Sequence, residues 1–146
     1  MKIDFPNIPQ SDAARASQLF AGDLLVYEQV TAMRPLLTIA EVHLSRAFGK
    51  TDLRRAHQDL TPDAYSDRMR ELYASCRSAD DVPRAWADVF AEIGLAPYGT
   101  CYDWFDIRAL PSGDSHLSRH TPMLPPHHDT WGSNIYQQIN WWAPVF

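Results

Sequence analysis

The hydrophobic positions change their spacing once, near Pro97, and that change divides the chain into a helical front and an extended back. Ser11 and Asp12 stand before a short helical stretch ending at Phe20, with a side-chain oxygen placed to cap the first amides. After Gly22 and Asp23, the apolar run Leu24, Leu25, Val26, Tyr27 predicts a strand over 24–28. From 35 to 48, Leu36, Leu37, Ile39, Ala40, Val42, His43 and Ala47 recur at helical spacing, and Gly49 supplies the stop. Thr61 followed by Pro62 reads as a cap with proline at the first helical position. The helix it opens runs to about Arg77, with Tyr65, Met69, Leu72, Tyr73 and Cys76 on one face. Asp80 or Asp81 with Pro83 opens a last helix, in which Trp86, Val89, Phe90 and Ile93 return every three or four residues until Gly94. These helices are expected to form a covering layer.

Beyond Pro97 the period becomes two. Cys101, Trp104 and Phe105 predict a strand over 99–110, ended by the turn Pro111-Ser112-Gly113-Asp114. A further extended segment enters Pro125-Pro126, whose rings cannot donate to a ladder and so favour an edge or a bend. Residues 134–143 alternate strictly, placing Ile135, Gln137, Ile139 and Trp141 on one face and Tyr136, Gln138, Asn140 and Trp142 on the other. One face can be core and the other the wall of a polar cavity. The whole is expected to be a single domain over 1–146, with 1–97 a mainly helical cover carrying a lead-in strand and 98–146 the strand-forming part.

Between these segments lies His127-His128-Asp129. On an extended chain, side chains two apart point the same way, so an imidazole and a carboxylate would face one metal while His128 faces away. From 109 to 146 the only acids are Asp114 and Asp129, and the only Lys or Arg is Arg119. A carboxylate in so aromatic and charge-poor a stretch is costly to bury unless a cation meets it. Two histidines and one carboxylate on one face of Fe(II) leave the opposite positions open for a cosubstrate and dioxygen. Two of those three ligands are visible here. The competing reading is an Asp129 that caps a turn beside a hydrogen-bonded His127.

The stretch Leu124-Pro125-Pro126-His127-His128-Asp129-Thr130-Trp131-Gly132-Ser133-Asn134, continuing through Trp141-Trp142-Ala143-Pro144 and preceded by Tyr102-Asp103-Trp104-Phe105-Asp106-Ile107-Arg108, resembles Fe(II)/2-oxoglutarate-dependent oxygenases. The likeness is to bacterial members related to phytanoyl-CoA dioxygenases, and it is best over 99–146. Residues 19–26 are similar to the lead-in strand of those enzymes. The resemblance implies an α+β fold, with helices packed against a partial double-stranded β-helix, a jelly-roll or cupin-like barrel. It also implies Fe(II) held by His127 and Asp129, 2-oxoglutarate as cosubstrate, and hydroxylation of a small organic substrate coupled to release of succinate and carbon dioxide. A carboxylate at Asp129 disfavours halogenation, which in that class leaves the position to a halide. Tyr102, Arg108, Trp131, Asn134, Gln138 and Asn140 are candidates for binding the cosubstrate or supporting the metal ligands. Arg108 could instead pair with Asp103 or Asp106, and Tyr102 could be core.

The family's distal His and 2-oxoglutarate-binding Arg have no counterpart before Phe146. The chain is therefore expected to be truncated, or completed by another chain, and to turn over poorly alone. About four more strands would be needed to close an eight-stranded barrel, so the 141–146 edge could pair with a second copy or a complementing chain. Alternatives are a non-catalytic binding or assembly module, or a cupin-like metal protein that uses His116 or His120 without 2-oxoglutarate. His43 and His57 are expected to be structural, and Trp86 and Tyr73 to be packing residues.

The bulk numbers narrow the partners. A net charge of -5 without a basic cluster beyond Arg54-Arg55 argues against nucleic acid. No apolar run reaches a membrane span, and the N-terminus lacks a secretory pattern. The expectation is a cytoplasmic protein acting on a small molecule. Cys76 and Cys101 have no metal-like spacing and read as independent buried thiols. No Gly-x-Ser-x-Gly element or phosphate-binding glycine loop is present.

Overall fold

The computed structural model describes residues 1–96, 98, 101, 105, 107 and 139–145. The elements are β1 (Ile3–Asp4), α1 (Asp12–Phe20), β2 (Leu24–Leu25), α2 (Met33–Phe48), α3 (Ala56–Asp59), α4 (Pro62–Arg77) and α5 (Asp81–Ile93). The caps that the sequence announces are in place. Ser11 and Thr61 each accept from the amide three residues on, Ala14 and Ala64, at 3.3 Å. Pro62 sits in the first turn of α4, where its missing N–H costs no helical bond. Helix α2 begins two residues earlier than its apolar spacing suggests, because Pro35 is tolerated within a first turn.

Helix α2 is the central element. Its second half buries Leu44, Ala47 and Phe48 against Tyr65, Met69, Leu72 and Cys76 of α4 and Ala56 of α3. Its first half buries Leu36 against Ala85 and Val89 of α5. Val42, expected on the apolar face, is instead 51% exposed. At 3.6 residues per turn it falls outside the arc that α4 and α5 cover.

The expected jelly-roll portion is corrected by this architecture. Among the described residues 54% are helical and 4% are strand, and the strands form one two-stranded parallel sheet, with Ile3 opposite Leu24 and Asp4 opposite Leu25. Two local causes keep it small. Pro6 has no N–H with which to extend β1, and after Val26 bonds to Asp4 O the chain leaves the pair, taking Gln29 to a φ of 56°. The lead-in strand of the sequence is thus present but two residues long, and its partner β1 is not evident from an apolar pattern.

The extended tail shows how period two arises without a barrel. Ile139, Trp141, Ala143 and Val145 are half-buried while Asn140, Trp142 and Pro144 are exposed, yet 139–145 belongs to no sheet. Its inward side chains meet the helical body and the segment after β2: Val145 packs on the α2–α4 core, and Trp141 on Phe90 of α5 and on Tyr27. Alternation records which residues face a buried surface, and a helical layer supplies one as well as a second sheet does.

Gly94 ends α5 with φ +87°, and a Cβ there would stand 2.7 Å from Gln10 O. Gly22 has φ +88° but nothing within 4 Å of such an atom. Gly22→Ala should therefore cost only the backbone strain of about 1 kcal/mol, while Gly94→Ala should cost clearly more, because the main chain of Gln10 must also move. Urea unfolding of the two variants checks this; equal losses would show that the close approach at Gly94 is unimportant.

Candidate functional site

The metal-ligand candidates His127 and Asp129, the supporting candidates Tyr102, Arg108, Trp131, Asn134 and Gln138, and the substitute ligands His116 and His120 lie outside the described residues. Asn140 is described and exposed. What is described is how the chain on either side of 108–138 is held. Phe105 stacks on Trp86 of α5, with centroids 5.2 Å apart and planes 11° from parallel, and lies 6.3 Å from Phe90. Trp141 meets the same Phe90 at 5.2 Å and Tyr27 at 5.9 Å. Ile107 and Val145 both pack on the α2–α4 core. The two flanks of the His-x-Asp segment are therefore seated on one helical body through a shared aromatic, Phe90.

That aromatic cluster closes over a buried arginine. Arg15 is 1% exposed, and its guanidinium carbon lies 5.9 Å from the Trp141 ring centroid, within cation–π range. Its Nη2 donates to Gln10 O and to Ile93 O, each at 2.9 Å, its Nε donates to Tyr27 Oη at 3.0 Å, and its Nη1 pairs with Asp12. Ile93 is the last residue of α5, whose last turn carries no basic residue of its own, so Arg15 supplies the positive charge that the negative end of that helix favours. Tyr27 Oη in turn donates to Gln10 Oε1, Gln10 Nε2 to Gln18 Oε1, and Gln18 Nε2 to Asp4 Oδ2. A polar chain thus runs from the buried cation to the surface carboxylate of β1. Helical spacing does not announce Arg15, because a charged residue is ordinarily assigned to the solvated face.

One residue before Ile93, Glu92 caps another helix. Ala32, which precedes α2, has no capping side chain; instead Glu92 accepts from Ala32 N at 2.7 Å and Thr31 N at 2.8 Å, and from Thr31 Oγ1. The backbone N–H of Ala32, then that of Thr31, hold its carboxyl below the ordinary glutamate range, against a smaller opposing effect of desolvation.

A second polar cluster joins three helices. His43 of α2 is 4% exposed; its Nδ1 is 2.5 Å from Ser75 Oγ of α4, and its Nε2 is 3.7 Å from Asp81 Oδ1 at the start of α5. The sequence analysis expects His43 to be structural, and helical spacing does not reveal the serine and aspartate beside it, which are distant in sequence. His57 is buried on α3. Cys76 is buried and Cys101 exposed, so the expectation of two buried thiols holds for Cys76 alone. Trp86 and Tyr73 pack against the two cores as expected. Among the described residues no three His, Cys, Asp or Glu side chains lie close enough to hold a metal ion, and no helix is long and apolar enough to cross a membrane.

Neither a protein-family model, nor a curated protein, nor a solved structure matches this chain.

Two outcomes follow from these contacts. Arg15→Ala takes the arginine donor from Gln10 O and Tyr27 Oη and one of the two donors from Ile93 O, and should destabilise the chain by on the order of 3 kcal/mol, since each stranded buried acceptor costs roughly 1–3 kcal/mol. Arg15→Lys should recover only part of this, because an ammonium cannot span the same fork. Denaturant unfolding reads both, and a loss in Arg15→Ala no larger than that of a surface arginine would contradict the role. For Glu92 the folded pKa lies below the unfolded one, so its contribution is fully present above about pH 4.3, the ordinary glutamate value, and is lost as pH falls through the lowered folded value. Melting temperature measured across that acid range should drop more steeply in the unaltered chain than in Glu92→Gln. Parallel curves would rule out the cap as an acid-sensitive contact.

Proposed function

We propose that the chain belongs to a non-haem Fe(II)/2-oxoglutarate-dependent oxygenase that hydroxylates a small organic substrate, with His127 and Asp129 as two of the metal's protein ligands. The single observation that carries the reading is the His-x-Asp spacing within a stretch that holds one other acid and one basic residue from 109 to 146. An imidazole and a carboxylate suit Fe(II), and a carboxylate with so few nearby cations gains most from a metal. The reading stands on this donor chemistry and on the resemblance over 99–146; it takes nothing from a barrel.

The seating of both flanks on α5 adds a physical argument. Phe105 and Trp141 fix the chain on either side of 108–138 to Phe90, and anchoring the ends of a segment lowers the entropy lost when its side chains converge on a ligand. Bound Fe(II) would supply the redox chemistry that couples 2-oxoglutarate decarboxylation to C–H hydroxylation. His127 and Asp129 would hold the ion by one side, while Arg108, Asn134, Gln138 or Asn140 would orient a carboxylate or amide of the bound molecules. Trp131 and Tyr102 would exclude water around them.

Anaerobic calorimetric titration with Fe(II) tests the dyad. His127→Ala and Asp129→Ala should each weaken binding by at least about tenfold, the lower end of what even a supporting residue costs a metal site, and adding 2-oxoglutarate should tighten Fe(II) binding in the unaltered chain. His116→Ala and His120→Ala should leave the affinity unchanged. Loss at His120 equal to that at His127 would favour a cupin-like site instead, and unchanged affinity in both dyad variants would end the oxygenase reading.

A further inference from the structure

We propose that Ser75, His43 and Asp81 form a second reactive site, in which Ser75 is a histidine-activated nucleophile toward small activated esters. It uses none of the His-x-Asp residues and is independent of the oxygenase reading. Three features of the arrangement point to it. The Ser75 hydroxyl lies 2.5 Å from an imidazole nitrogen, His43 Nδ1, within reach for transfer of its proton. The opposite nitrogen, Nε2, lies 3.7 Å from the Asp81 carboxylate, close enough for Coulombic stabilisation of an imidazolium though longer than a hydrogen bond. The side chain of His43 is 5% exposed and that of Asp81 is 57% exposed, so the base is held in a dry setting while its anionic partner can adjust.

The fold brings the three groups together from separate elements. His43 is on the buried face of α2, Ser75 is on α4 two residues before its end, and Asp81 opens α5 just across the short connection. Ser75 is half-buried rather than sealed in the core.

The chemistry balances without any further reagent. Ser75 Oγ bonds to the ester carbonyl carbon as its proton passes to His43 Nδ1. The ester C–O bond then breaks, and the leaving alcohol oxygen takes that proton. Water repeats the sequence on the acylated serine, giving up a proton through His43 and releasing the carboxylic acid. Asp81 acts through His43 as a positioning residue and does not touch the acyl group. The transfer requires the tautomer with its proton on Nε2, facing Asp81, so that Nδ1 is the free acceptor of the serine proton.

Site-resolved labelling of the intact chain with p-nitrophenyl acetate, and separately with a fluorophosphonate, followed by peptide mass spectrometry, tests the proposal. Ser75 should acquire the acetyl and phosphonyl groups at least about a hundredfold faster than the other serines, the lower bound of general-base assistance. Asp81→Asn, altered at an exposed carboxylate, should keep the fold by circular dichroism and slow labelling at Ser75 alone. Labelling of Ser75 at the pace of the other serines in the unaltered chain would overturn the proposal and leave the His43–Ser75 contact as a hydrogen bond that satisfies a buried imidazole. Equal rates at Ser75 in the unaltered chain and in Asp81→Asn would overturn the part assigned to Asp81.

Discussion

The last turn of α5 is where the molecule is tied together, and the tie is a buried cation meeting a helix end. Ile93 presents its carbonyl to Arg15, and Gln10 N donates to the same oxygen at 3.0 Å. Glu92, the neighbouring residue, sends its carboxylate to the amides that precede α2. One turn of helix therefore holds the N-terminal segment on one side and the central helix on the other. Gly94 follows with the only backbone that admits the close approach of Gln10, and Asp12, ion-paired with Arg15, also accepts from Ala96 N at 3.1 Å. Burying a guanidinium is unfavourable unless its donors are met. Here all three of its nitrogens have partners, and an indole face lies beside it.

The same point organises the extended part. Trp141 packs between Arg15, Tyr27 and Phe90, and Phe90 also meets Phe105. The chain on both sides of the His-x-Asp segment thus rests on the aromatic face of α5, whose apolar face is in turn fixed to α2 through Leu36, Ala85 and Val89. A functional segment whose ends are seated on a packed body pays less entropy to order a ligand than one tethered freely. For the proposed dyad at residues two apart, that seating is the contribution the helical body can make.

The helices were legible because their signals are local. Ser11, Thr61-Pro62, Gly49 and Gly94 mark ends by satisfying or releasing specific backbone groups, and apolar residues at three and four apart mark the faces that α2, α4 and α5 bury. The barrel was misread because alternation reports burial on one side and does not identify the surface that does the burying; 139–145 alternates against helices. Strand β1 escaped because Ile3 and Asp4 pair through backbone groups that side-chain patterns do not encode. Arg15 and Glu92 escaped for a related reason. A charged residue makes sense inside a fold only once its distant partners are known, and Arg15 meets Ile93 across 78 positions while Glu92 meets Thr31 across 61. The His43, Ser75 and Asp81 grouping is of the same kind. The proposed metal ligands rest on donor type and spacing, and they lie outside the described residues.

Native-state hydrogen exchange on the unaltered chain tests the central account most directly, because it reads whether the N-terminal segment opens with the helical core or separately from it. The amides of Gln10, Arg15 and Leu95 should exchange with the same opening free energy as those of Leu44 and Ala47 in α2, since the arginine at the end of α5 joins them into one cooperative unit. Exchange of Gln10 and Arg15 through a distinct, lower-energy opening, while α2 stays protected, would show that the buried cation does not hold the fold together.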